Sequence, residues 1–139
     1  MTQIITRGIK ALIGEAKSQI KEYTTAEVRE LAKQDDVVLV DIRDPRELSR
    51  DGVIAGAFHC PRGMLEFWID PESPYHKPIF AEDKQFIFFC AGGMRSALTA
   101  KAAQDMGLKP VSHMIGGFGA WKKDGFEVDA YDKVWPDKK

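Results

Sequence analysis

Two short apolar runs do most to limit how this chain folds. "VVLVDI" (Val37–Ile42) is continuous and rich in β-branched residues, and "FIFF" (Phe86–Phe89) is continuous and aromatic. Neither alternates with polar residues, so each suits a strand buried on both faces. Both fall far short of the roughly 20 residues that span a bilayer. "VSHMI" (Val111–Ile115) reads as a third strand, and "IAGAFHCP" (54–61) holds a short one between turns.

Helical patterns fill the intervals. Ile5, Ile9, Leu12, Ile13, Ala16 and Ile20 recur at steps of three and four, one stripe of an amphipathic helix. Its apolar stripe is expected to pack onto the sheet, or to dock a partner or a second copy of the chain. Thr24 and Glu27 form a capping box for a helix reaching about Ala32. Asp44, Pro45 and Glu47 fit N-cap, N1 and N3 of another. Gly63–Ile69 suits a helical turn or two, and "DPESPYHKPIFAED" (70–83) a long proline-rich loop. An alanine-rich helix is expected over Ser96–Met106, with Gly107 at C′. Gly116–Gly117 turns into a last helix, Phe118–Lys123, that ends near Gly125. Strands alternating with helices predict an α/β fold of three layers, with a mostly parallel central sheet.

At 139 residues the chain suits one domain with a real core. A formal charge of −1 gives no reason to expect nucleic acid or an anionic membrane as partner. The N-terminus has no compact apolar segment of a secretory signal. Arg7 and Lys10 precede the first acid, Glu15, as in a transit peptide, but serines are scarce there. Cys60 and Cys90 do not make a disulfide framework, so free thiols in the cytoplasm are expected. His59, His76 and His113 stand far apart, and no cysteine or histidine spacing suggests a metal or cofactor.

The chemistry concentrates in "CAGGMRS" (Cys90–Ser96), where a strand ends and a helix begins. Ligands of parallel sheets bind beyond such ends. Gly92 and Gly93 permit positive φ, so that several amides turn inward and attract an anion. The helix N-terminus adds its dipole, and Arg95 adds a forked cation. Together they favour a thiolate at Cys90 and would hold an anionic substrate against it. Cys60 is either a core residue or a thiol that resolves oxidised Cys90.

The chain resembles the rhodanese-like single-domain sulfurtransferases. Cys90, Gly93 and Arg95 fit that family's Cys-x-x-Gly-x-Arg pattern. Asp41, Arg43 and Glu47 fit its Asp-x-Arg-x-x-x-Glu signature. Gly52, Ile54, Gly56, Ala57 and Pro61 match a second signature. Gly116, Gly117, Ala120, Trp121 and Gly125 match a closing one. Leu48, Val53 and Cys60 depart from the usual aromatic, histidine and aliphatic. The resemblance implies a rhodanese-like α/β/α domain over about 23–130, an extra N-terminal helix (1–22) and a charged tail (131–139).

It also implies sulfur transfer from a small donor such as thiosulfate to cyanide or a thiol, through a persulfide on Cys90. A protein could serve as the sulfur acceptor. Ala91, Gly92, Gly93, Met94, Arg95 and Ser96 would bind the substrate, and no catalytic histidine is required. Asp41 and Arg43 would stand close behind the loop, unless Arg43 pairs with Glu47 to fix the following turn. A homodimer through the N-terminal helix is a further expectation. Related cysteine-loop phosphatases and arsenate reductases place five residues between cysteine and arginine, and this chain has four.

Overall fold

The computed structural model describes residues 1–131. Five strands form one sheet: β1 (Lys21–Tyr23), β2 (Val37–Asp41), β3 (Phe58–His59), β4 (Gln85–Phe89) and β5 (Val111–Met114). Their order is β1-β5-β4-β2-β3, and every neighbouring pair is parallel. The two apolar runs become β2 and β4 at the centre, where both faces are covered. The helices are α1 (Ile9–Gln19), α2 (Thr25–Leu31), α3 (Pro45–Asp51), α4 (Leu65–Ile69), α5 (Met94–Asp105) and α6 (Gly117–Lys123).

Alternation along the strands splits the core into two clusters. Val38, Val40, Phe86, Phe88 and Cys90 face the layer that holds α4 and α5. Leu39, Ile87, Phe89 and Met114 face Val28 of α2 and Phe118 and Trp121 of α6. Phe118 and Trp121 are thus core residues, and the Trp121 indole donates to the Glu127 carbonyl at 2.8 Å. Cys60 is fully buried in the first cluster. In the proline-rich segment, a 3-10 turn (Pro78–Ala81) inserts Phe80 into that cluster. Phe67 is exposed against Tyr75, Trp68 packs on Phe58, and Trp135 lies outside the described residues.

The expected Thr24–Glu27 capping box is present, and Asp44 and Glu47, expected at N-cap and N3, form a second. The N-terminal helix differs from expectation. It starts at Ile9 rather than Ile5, and it lies on α5 rather than on the sheet. Ala16 is its buried contact, and Gln104 of α5 donates to the Gln19 carbonyl at 2.8 Å. Ile5, Ile9 and Leu12 are exposed. The strand that follows, β1, was not expected: Lys-Glu-Tyr is polar, and an edge strand needs little apolar surface. Its Glu22 pairs in register with His113 of β5, which pairs in turn with Phe88 of β4.

Candidate active site

Cys90 follows β4 directly, and the next residues fold into a loop that ends on α5. The turn between β5 and α6 fixes that loop. Phe118 N–H donates to the Cys90 carbonyl at 2.8 Å, and Gly119 N–H to the Ala91 carbonyl at 2.9 Å. Gly117 has φ +61, and a Cβ there would stand 2.4 Å from the Cys90 oxygen. With these carbonyls drawn toward α6, amides further along the loop turn toward the sulfur. Gly93 N–H donates to Cys90 Sγ at 3.1 Å and Ser96 N–H at 3.4 Å. The sulfur thereby takes the place of an N-cap side chain on α5, whose N-cap residue is Gly93.

This explains two departures from the sequence reading. The helix starts at Met94, two residues before Ser96, because the thiol satisfies its N3 amide. Of the glycine pair, only Gly93 has positive φ, at +98, and a Cβ there would stand 3.1 Å from the Gly116 amide nitrogen. Gly92 is exposed, with open space where a Cβ would lie. Among the described residues, the amides of Ala91, Gly92, Met94 and Arg95 make no hydrogen bond within the chain. Amides of this kind at a helix N-terminus bind anions.

Cys90 itself is 1% exposed. Its sulfur therefore meets a reactant only when neighbouring side chains shift. Met94 and Arg95, on the first turn of α5, are exposed. Arg95 does not extend a free fork toward a substrate. Its two terminal nitrogens donate to Glu47 at 2.8 and 2.9 Å. That bond is the main reason the guanidinium is held above its ordinary range, and the neighbouring Cys90 adds to it. Reciprocally, Arg95 holds the Glu47 carboxyl below the usual carboxylate range.

The expected Arg43–Glu47 pair does not form. Arg43 is wholly buried and turns to Asp41, with Nη2 to Oδ2 at 2.7 Å and Nε to Oδ1 at 3.0 Å. Nη2 also donates to the Gly52 carbonyl at 2.9 Å, and the guanidinium lies 4.0 Å from the Phe118 ring centroid. Arg43 Nη1 is buried without a hydrogen-bond partner. Arg43 thus lies against Phe118, whose amide holds the Cys90 carbonyl.

The second thiol, Cys60, is fully buried. Burial pushes Cys60 up to about 12, and both cysteines are free. The feature that sequence spacing did not reveal lies on the other side of Cys90. Its Sγ contacts Ser96 Oγ at 3.6 Å, Ser96 Oγ contacts His113 Nδ1 at 2.9 Å, and His113 Nε2 contacts Glu22 Oε2 at 2.7 Å.

The family model of the rhodanese-like domain matches residues 24–124. The chain belongs to the rhodanese-like domain family. As a rhodanese-like protein it is 31% identical over 105 residues to YtwF of Bacillus subtilis, covering 75% of this chain and 92% of that one. It is 28% identical over 102 residues to the thiosulfate sulfurtransferase GlpE of Coxiella burnetii, covering 73% and 87%. A solved Rhodopseudomonas palustris protein, described as of unknown function and a possible tyrosine phosphatase, is 65% identical. It covers 93% of this chain and 99% of its own, with a TM-score of 0.90. The rhodanese-like match includes the whole Cys90–Ser96 loop and both elements that clamp it. The N-terminal helix lies outside it.

Proposed function

We propose that this protein is a rhodanese-type sulfurtransferase that takes sulfane sulfur from a donor such as thiosulfate and carries it as a persulfide on Cys90. The observation that supports this reading most is the convergence of the Gly93 and Ser96 amides on one sulfur atom. Amide donors favour the thiolate, which is the attacking species. The thiolate attacks the outer sulfur of thiosulfate and a new S–S bond forms. The S–S bond of the donor breaks, and sulfite leaves with the electron pair. The amides of Ala91, Gly92, Met94 and Arg95 would supply donors to the departing anion. Cyanide or a thiolate then attacks the outer persulfide sulfur and releases the Cys90 thiolate. The two half-reactions predict ping-pong kinetics.

A phosphatase reading is favoured by the description of the Rhodopseudomonas palustris protein. The loop argues against it. Four residues separate Cys90 from Arg95, and the Arg95 fork is engaged by Glu47 rather than open to a tetrahedral oxyanion. Intact-mass spectrometry after thiosulfate treatment tests the choice. A gain of one sulfur atom, absent in Cys90→Ser and reversed by cyanide, is expected. Hydrolysis of a phosphate ester with no sulfur gained would overturn the proposal.

A further inference from the structure

Removing the Cys90 proton poses a problem of place. The thiol is 1% exposed and cannot hand its proton directly to bulk water. Ser96 beside it is fully buried, and His113 behind Ser96 is 1% exposed. Glu22, at the end of the chain, has 28% of its side chain exposed. The three contacts therefore run from a sealed sulfur to a carboxylate at the surface.

Their directions agree. A carboxylate accepts from Nε2–H, so Glu22 fixes the His113 tautomer and leaves Nδ1 with its lone pair. Nδ1 accepts from the Ser96 hydroxyl, whose oxygen is then free to accept from the Cys90 thiol. Each donor points outward, away from the sulfur.

We infer that Ser96, His113 and Glu22 form a proton relay that ionises Cys90. As the S–H bond breaks, its proton joins Ser96 Oγ, and the original hydroxyl proton passes to His113 Nδ1. The thiolate keeps the electron pair, and the ring becomes an imidazolium that donates to Glu22 through Nε2. The new Ser96 hydroxyl donates back to the thiolate beside the Gly93 and Ser96 amides, so no buried group is left without a partner. Ser96 touches the reacting sulfur and is the catalytic member. His113 and Glu22 act through it as positioning residues.

The charged and titratable groups around the ring are Glu22 of β1, Lys17 of α1, and Ser96 of α5 with Cys90 beyond it. Burial lowers the ring's affinity for a proton, and Lys17 adds to that. Glu22 acts in the opposite sense and supports the charge once it arrives. The relay depends on β1, since Glu22 and His113 are register partners across β1 and β5.

This inference rests on the reading of Cys90 as the reacting thiol, and its test needs no sulfur donor. Thiolate absorbance in the ultraviolet, taken as the difference from the matching Cys90→Ser chain, gives the ionisation profile of Cys90. Cys60, pushed up to about 12, stays silent through the range. His113→Asn and Ser96→Ala are expected to move the midpoint alkaline by about one pH unit or more, a roughly tenfold loss of thiolate below it. Glu22→Gln should move it the same way by less. Unmoved midpoints in His113→Asn and Ser96→Ala chains with native circular dichroism would overturn the relay.

A second measurement uses the native histidine. Ring-nitrogen NMR should show His113 keeping its proton to a higher pH than it does in Cys90→Ser, because the thiolate reached through Ser96 favours the imidazolium. Identical ring titrations in the two chains would refute it. A failed transfer assay bears on the sulfur reaction, whereas these two profiles bear on the relay.

Discussion

The Asp41–Arg43 pair shows how one residue choice is enforced by its surroundings. Arg43 is wholly buried, and its charge is balanced by Asp41 across three side-chain hydrogen bonds, one to Oδ1 and two to Oδ2. Asp41 also accepts from the Arg43 backbone amide at 3.0 Å, which folds the strand end back on itself. Removing one partner of such a pair leaves an uncompensated charge in the core. Asp41→Asn should therefore cost about 3–5 kcal/mol of stability. Urea denaturation of the two chains checks this, and a loss below about 1 kcal/mol would contradict it. A neutral partner also loosens Arg43 above the Phe118 ring, on the element that clamps the cysteine loop.

At the scale of elements, the decisive contact joins the β5–α6 turn to the loop after β4. Gly117 combines φ +61 with a hypothetical Cβ 2.4 Å from the Cys90 carbonyl oxygen and 2.8 Å from Ala91 backbone atoms. Gly117→Ala must displace one of the two loops. The prediction is a loss of at least tenfold in the rate of Cys90 alkylation or sulfur loading, roughly 1.4 kcal/mol, with the far-ultraviolet dichroism retained. Gly92→Ala, at a position with open space, is the matched control and should retain most activity.

The elements also separate what local sequence carries from what it does not. β2 and β4 are legible because burial on both faces demands near-continuous apolar residues. The two capping boxes are legible because the motif is local. β1 is not legible, since a polar three-residue edge strand resembles a linker. The site divides the same way. Cys90, Gly93 and Arg95 announce themselves by spacing, but the partner of Arg95 is Glu47, 48 residues earlier. His113 and Glu22 stand 91 residues apart and meet only through strand register. No periodicity of either segment encodes that pairing.

For the molecule as a whole, charge pairing sets the response to acid. The Thr24 amide holds Glu27 below its ordinary value, the Arg46 amide does so for Asp44, and Arg95 for Glu47. Arg29 brings Glu127 down to about 2. In each case the unfolded chain binds protons at a higher pH than the folded one. The stability these groups contribute is complete above the unfolded values of 3.8 to 4.5 and is lost as pH falls through the lowered folded ones. Urea midpoints should accordingly begin to fall below about pH 6.5, where the unfolded chain protonates His113 more readily than the folded one, and fall steeply below about pH 4. A midpoint that rises on acidification would contradict this. High salt should change the neutral-pH midpoint little, because most of these pairs are exposed.

All five strands run the same way, so their carboxyl ends open onto a single rim while the opposite rim carries only connections. Reactivity and scaffold are thereby segregated in space. Exchange of exposed residues in the segment after β3 would retune which molecules the thiol meets without touching the β5–α6 turn that clamps its loop. Grafts and tags belong on the other rim, where lengthening a connection leaves the chemistry undisturbed.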